Sequence, residues 1–166
     1  EFSREKSAVE HLAQGWGQTA AVATALWEID ADMHLRDSPA CVSVAWVDPS
    51  LHTRWVYPVR GNESSLSFDH AGDPDTGPVR SAALAAARDT GQAAISATLN
   101  LPLRGRGFVI YAPVRRGGVL AGYVAAAYPY QAFFGGIDRD LRLSANYSVA
   151  ISVAGETVYS ALTGDS

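Results

Sequence analysis

Hydrophobic and polar positions alternate most clearly over residues 105–130, GRGFVIYAPVRRGGVLAGYVAAAYPY. Two β-rich runs, Phe108–Val114 and Val119–Tyr128, flank Arg115-Arg116-Gly117-Gly118, and aromatic and β-branched residues on both sides of a Gly-Gly pair specify a hairpin. A period of two puts Phe108, Ile110, Ala112 and Val114 on one face of the first run and Val109, Tyr111 and Pro113 on the other. The second run is small and apolar almost throughout, the pattern of a strand covered by another layer.

Over Ser3–Leu35 the period changes. Phe2, Val9, Trp16 and Ala23 recur at seven-residue intervals, with Leu12, Leu26 and Met33 in the second seam position. This heptad spacing predicts one long helix. Glu5, Thr19 and Asp30 interrupt the seam, so two readings stay open: an amphipathic helix lying on its own domain, or a stalk that pairs with a second copy. Gly15 and Gly17 each lower helix stability by roughly 1 kcal/mol relative to Ala, and they permit close packing or a bend. Pro39 ends the segment.

The remaining pattern is short and punctuated. Cys41–Asp48 and His52–Val59 read as strands joined at Asp48-Pro49-Ser50, with Trp55 and Tyr57 on one face and Pro58 marking an edge. Residues 61–77 form a polar, Gly/Pro-rich stretch with a short helical turn near Ser64–Phe68, the place for a mobile loop or lid. Pro78–Thr90 is a helix with Pro at its start and Gly91 past its end. Ala93–Leu101 returns as a strand. A short helix to Phe134 breaks at Gly135-Gly136, and Asn146–Val153 with Thr157–Ser160 makes a closing hairpin. Consecutive antiparallel strands with segregated helices define an α+β fold: a sheet of roughly seven strands, counting by strand signals, with the long helix on one face and the Arg60–Thr90 segment covering the other.

Composition narrows the function. The chain has 166 residues, 48% of them hydrophobic and 18% charged, with a net charge of −4; that is the make-up of a folded domain without a nucleic-acid footprint. Cys41 is the only cysteine, so neither an intrachain disulfide nor a cysteine metal cage forms. No apolar run is long enough to span a membrane, and no signal peptide is recognisable. A chain that opens on Glu1-Phe2 rather than Met reads as part of a longer protein. HExxH, Walker and GxSxG patterns are absent. His11, His34, His52 and His70 fall in unrelated segments and read as surface residues. Cys41 reads as a small buried filler. Neither a cofactor nor a catalytic constellation is expected, and a hydrolase with an unrecognised site is a remote alternative.

What stands out instead is an aromatic set on the sheet: Trp46, Trp55, Tyr57, Phe108, Tyr111 and Tyr123. Most of a set of this kind is core, and the rest can line a small-molecule pocket beneath the cover, with a few placed polar groups. Arg88, Thr98, Asn100 and Arg106 are the candidates for those groups, an arginine being suited to bidentate capture of a carboxylate. The expected ligand contacts are Trp55, Tyr57, Arg88, Thr98, Arg106, Phe108 and Tyr111.

Two ordered sets of short motifs carry a resemblance. SPACVSVAWVDPSLHTRWVYPVRG at 38–61, followed by Asn62-Glu63, and the second set over Arg80–Phe134, with Arg88-x-Thr90-Gly91, GRGFVIYAPV and Gly122-Tyr123-Val124, resemble a bacterial CHASE-type sensor domain. That resemblance implies a PAS-like fold with a long N-terminal helix, a periplasmic or extracellular location between two transmembrane helices, and small-molecule binding that controls a histidine kinase or diguanylate cyclase. It divides the chain into a stalk helix, 1–36, and a sensor domain, 37–166, within one structural unit. The partners it implies are a small-molecule ligand, a second copy joined through the N-terminal helix, and a membrane reached by flanking spans. A pocketless dimerisation and relay module of the same fold is the alternative.

Overall fold

In a computed structural model of the chain, which describes residues 2–18, 24–141, 149–153 and 155–161, the alternation over 105–129 becomes a long antiparallel ribbon. Strands β5 (Gly105–Arg116) and β6 (Val119–Pro129) pair along their length. Gly117 and Gly118 turn the chain with φ of +57° and +79°, the left-handed pair of a tight hairpin that only glycine adopts without strain.

Around this ribbon lie β1 (Ser43–Val47), β2 (Thr53–Tyr57), β3 (Ala94–Ile95) and β4 (Leu99–Leu101). The order across the sheet is β2-β1-β6-β5-β3, with β4 also on β5, and every pairing is antiparallel. The reading of Ala93–Leu101 as one strand is corrected to two short ones. They part at Ser96, whose hydroxyl accepts the Val109 N–H at 2.9 Å where a ladder carbonyl would otherwise stand. A second, two-stranded sheet is formed by β7 (Val149–Val153) and β8 (Glu156–Ala161). Residues 146–148 of the expected closing hairpin lie outside the described residues.

The helical layer differs from the single rod that the heptads predict. It consists of α1 (Phe2–Gly17) and α2 (Thr24–Asp37). Trp16 and Trp27 stack with ring centroids 4.5 Å apart, although a continuous helix would separate the two positions by about 16 Å. The Tyr128 hydroxyl donates to Glu5 at 3.0 Å and lies 3.5 Å from His34 Nε2, positions a straight helix would hold about 43 Å apart. The chain therefore doubles back. Gly17, the last residue of α1, lies against β5: a Cβ there would be 2.6 Å from the Arg115 carbonyl oxygen, too close for any side chain.

Helix α3 (Gly77–Thr90) has Pro78 in its first turn and ends at Gly91. It packs over the opposite sheet face with residues 60–76, which include a short 3-10 turn at Glu63–Ser65. Helix α4 (Tyr130–Leu141) continues through Gly135 and Gly136, correcting the expected break; Phe133 and Phe134 are buried against the sheet, and that burial outweighs the low helix propensity of two glycines.

The period-two assignment of faces holds in three dimensions. Phe108, Ile110, Ala112 and Val114 join Val9, Trp16, Trp27 and Tyr128 in one core under the helices. Val109 and Tyr111 join Ala45, Val56, Leu84 and Ala125 in a second core under α3. The first core is dense with rings: Phe108 stacks on Tyr128 at 5.0 Å and meets Phe133 edge-on at 5.3 Å, both favoured geometries.

Candidate functional site

Small residues decide where the second face opens. Ala45 on β1 and Ala125 and Ala127 on β6 point toward the cover, and so short a set cannot fill the layer between sheet and loop. A cavity of about 60 Å³ remains there. Its floor includes Ser43, Ala45, Val109, Ala125 and Ala127, and its roof and mouth are built by Asn62, Ser64, Ser65, Phe68 and Arg104.

The roof is fastened to the outer edge of the sheet. The Thr53 N–H donates to the Phe68 carbonyl at 3.0 Å, the Ser67 N–H to the Thr53 carbonyl at 2.9 Å, and the His70 N–H to the Leu51 carbonyl at 2.9 Å. These bonds satisfy backbone groups that an edge strand would leave bare. A bulge between Trp46 and Val47, where Val47 pairs with Thr53 rather than Arg54, turns Thr53 toward the cavity.

A chain of buried polar groups forms the inner wall. Arg80, on the inward face of α3 with Ala83, Leu84 and Ala87, is 5% exposed. Its Nη1 donates to the Tyr111 hydroxyl at 3.0 Å and its Nε to Thr76 Oγ1 at 2.8 Å, and its guanidinium lies 4.8 Å from the centre of the Phe68 ring, within cation–π range. The Tyr111 hydroxyl meets His70 Nδ1 at 2.8 Å, and His70 Nε2 meets Thr53 Oγ1 at 2.7 Å. A hydroxyl that accepts from Arg80 has its own proton for His70 Nδ1, which leaves Nε2–H to donate to Thr53. Burial, reinforced by the Arg80 charge, pushes the His70 pKa down to about 3, so the imidazole is neutral; burial pushes that of Tyr111 up. Among the described residues no carboxylate lies within ion-pair distance of Arg80.

Of the residues expected to contact a ligand, Tyr111 stands directly behind this wall, hydrogen-bonded to Arg80 and His70 but not itself lining the cavity. The others stand elsewhere. Trp55 and Tyr57 face the helices: Trp55 lies edge-on to Trp16 and Trp27, and the Tyr57 hydroxyl donates to Asp32 at 2.8 Å. Phe108 is in the aromatic core on that same side. Arg88 is exposed and pairs with Asp89 at 3.0 Å. Thr98 shares a 2.7 Å hydrogen bond with the Tyr130 hydroxyl. Arg106 forms a bidentate pair with Glu156, at 2.8 and 2.7 Å, tying β5 to the small sheet.

Sequence reasoning passed over Arg80, His70, Asn62 and Arg104. Arg80 did leave a signal: it lies three and four residues before Ala83 and Leu84 on the apolar face of its helix, where a charge needs a reason. The reading of all four histidines as surface residues is corrected for His34 and His70, which are 8% and 4% exposed, because each packs under a layer that local sequence does not reveal. Cys41 is buried, its thiol donates to the Ser43 carbonyl at 3.3 Å, and burial pushes its pKa up to about 12, which leaves no reactive thiolate. Among the described residues no cluster of His, Cys, Asp and Glu is arranged to hold a metal ion, and no helix is long and apolar enough to cross a membrane.

An antiparallel sheet with helices on one face and a roofed cavity on the other defines the PAS-like class of sensor domains. The family profile of the CHASE domain matches residues 18–159, and the chain belongs to that family. As such it is an extracellular or periplasmic ligand-sensing domain rather than a catalyst. Three solved structures share the fold. An extracellular ligand binding receptor from Desulfohalobium retbaense superposes with a TM-score of 0.63 at 17% identity, covering 84% of this chain and 24% of that one. The ligand-binding domain of the Pseudomonas fluorescens chemoreceptor CtaA, in complex with L-alanine, gives 0.59 at 16%, covering 99% and 64%. That of the Pseudomonas aeruginosa amino acid chemoreceptor PctB, in complex with L-Gln, gives 0.60 at 17%, covering 99% and 61%. The chain thus spans less than two thirds of each of these domains. No curated protein sequence matches it.

Proposed function

We propose that this chain is the ligand-sensing part of a membrane-bound bacterial receptor, and that a small molecule occupies the cavity between the sheet and its roof. The observation that supports this most directly is Arg80: a guanidinium buried at the cavity wall, fixed by Thr76 and Tyr111, with no carboxylate in ion-pair distance among the described residues. Buried charge of this kind is costly unless something pairs with it. CtaA and PctB hold amino acids in domains of the same fold, which supports a small-molecule ligand here as well. Occupancy favours one packing of roof against sheet over another, and the shift obtained equals the ligand's differential affinity for the two packings.

The readout passes to the helical layer and from there to an attached histidine kinase or diguanylate cyclase across the membrane. Helix α2 exposes Leu26, Ile29 and Met33 at 51%, 57% and 58%, spaced as a seam for a second copy. The unit 37–166 carries the cavity, and 1–36 carries the relay.

Thermal-shift screening of the purified domain against amino acids, organic acids and purines tests the cavity. A hit whose affinity falls when Tyr111 becomes Ala supports the assignment. A hit indifferent to both Tyr111→Ala and Arg80→Gln places the site elsewhere. Sedimentation of the wild type against Ile29→Glu tests the second copy, with a dimer expected to dissociate in the variant.

A further inference from the structure

Taking the cavity as the ligand site, we infer that it selects a small monocarboxylate of about two to four carbons that carries no ammonium group, with Arg80 as the carboxylate anchor. The size follows from the room available. A cavity of about 60 Å³ between sheet and roof suits a short acid seated on the alanine floor better than a purine or a long side chain.

The sign of the charge follows from the lining. Arg80 and Arg104 border the cavity, His70 is neutral, and among the described residues no aspartate or glutamate lines it. Arg80 has its Nε on Thr76 and Nη1 on Tyr111, and Nη2 has no acceptor among the described residues. On its outer side Arg80 borders a shallow cleft with Asp73 and Asp75; Asp73 accepts the Thr76 N–H and hydroxyl at 2.7 and 2.8 Å and acts on Arg80 only at longer range, and Asp75 accepts Asn100 Nδ2 at 3.2 Å. A ligand carboxylate supplies the direct hydrogen-bonding partner that Nη2 lacks. A ligand ammonium would face two guanidinium groups, and the acceptors it could reach, the hydroxyls of Ser43, Ser64 and Ser65 and the Asn62 amide, are neutral and offer it no counter-charge. The floor also separates carboxylate from phosphate. Ala45, Val109, Ala125 and Ala127 suit an acyl chain, whereas a tetrahedral anion would turn oxygens onto methyl groups.

Calorimetric titration of the whole domain decides the matter, with sodium acetate, propionate, pyruvate and L-lactate compared with glycine, L-alanine and sodium phosphate. At least one of the four acids binds, and L-alanine, which is propionate plus an ammonium, binds at least about tenfold more weakly than propionate. Arg80→Gln weakens acid binding by at least about tenfold. Ala125→Val fills the cavity from a strand that favours β-branched residues and also abolishes binding, and it decides the question alone if Arg80→Gln fails to fold. Equal or tighter binding of L-alanine or phosphate, or no binding of any acid, overturns the carboxylate assignment. If amino acids bind instead and Ala125→Val removes them, the cavity stands and only the ligand class falls. If acids bind and neither substitution matters, the cavity itself is not the site.

Discussion

The two faces of one sheet are built on opposite terms. Toward the helices, Phe2, Trp16, Trp27, Phe108, Tyr128 and Phe133 fill the space with rings, and the polar groups there are few: the hydroxyl of Tyr128 donates to Glu5, and the buried Trp27 Nε1 has no hydrogen-bond partner among the described residues. Toward the roof, alanines leave room, and Arg80, Tyr111, His70 and Thr53 form a polar chain with one end open. The difference teaches where stability and recognition have been separated. Substitutions on the helix side should lower stability and spare recognition; substitutions on the roof side should do the reverse.

The largest test of that contrast is Phe108→Ala. Removing a ring that is 1% exposed should cost about 3–5 kcal/mol in urea unfolding. The next is pH. The unfolded chain takes up a proton at His70 below about pH 6.5, while the folded chain resists until about 3. This contribution is complete above the higher value and is lost as pH falls toward the lower, by at most about 1.4 kcal/mol per unit. The groups facing His70 are Arg80, Asp69, His52, Tyr111, Thr53 and Phe68. His34, whose pKa burial also lowers, against the opposing charges of Glu5 and Asp37, adds a slope of the same sign, so His70→Gln should flatten the denaturation profile in part. Tyr128→Phe leaves the buried Glu5 carboxylate without its donor and should cost about 1–3 kcal/mol. Arg80→Met should reverse the sign: anion binding disappears while the unfolding midpoint holds or rises, by up to about 2 kcal/mol. Arg106→Ala, at an exposed pair with Glu156, should change neither midpoint nor binding, because such pairs contribute little.

Much of the sheet was legible because its information is local. The alternation from Phe108 to Val114, the two turn glycines and the Pro78 and Gly91 boundaries each act through neighbours in sequence. The reversal between α1 and α2 is not local. Val9, Leu12 and Trp16 keep helical spacing whether they face a sheet or a partner, and the fold-back shows only in contacts distant in sequence, Trp16 on Trp27 and Tyr128 on both Glu5 and His34. The candidate site was obscured for a related reason. Alternation says that Trp55 and Tyr57 share a side, but which side holds the cavity depends on where the roof attaches to β2. Arg80 was readable from its helix face; His70 lies in a loop without periodicity, and its burial is visible only once Thr53 and Tyr111 surround it.

Strand β5 carries Tyr111 and, immediately beside it in sequence, Ile110 and Ala112, which bear on the helix-side core. The chamber and the engine room thus share a partition a single backbone thick. In the proposed sensing role, a molecule that shifts Arg80 bears on its Tyr111 partner and needs no long relay through side chains: a peptide that tilts on one side moves its neighbours on the other.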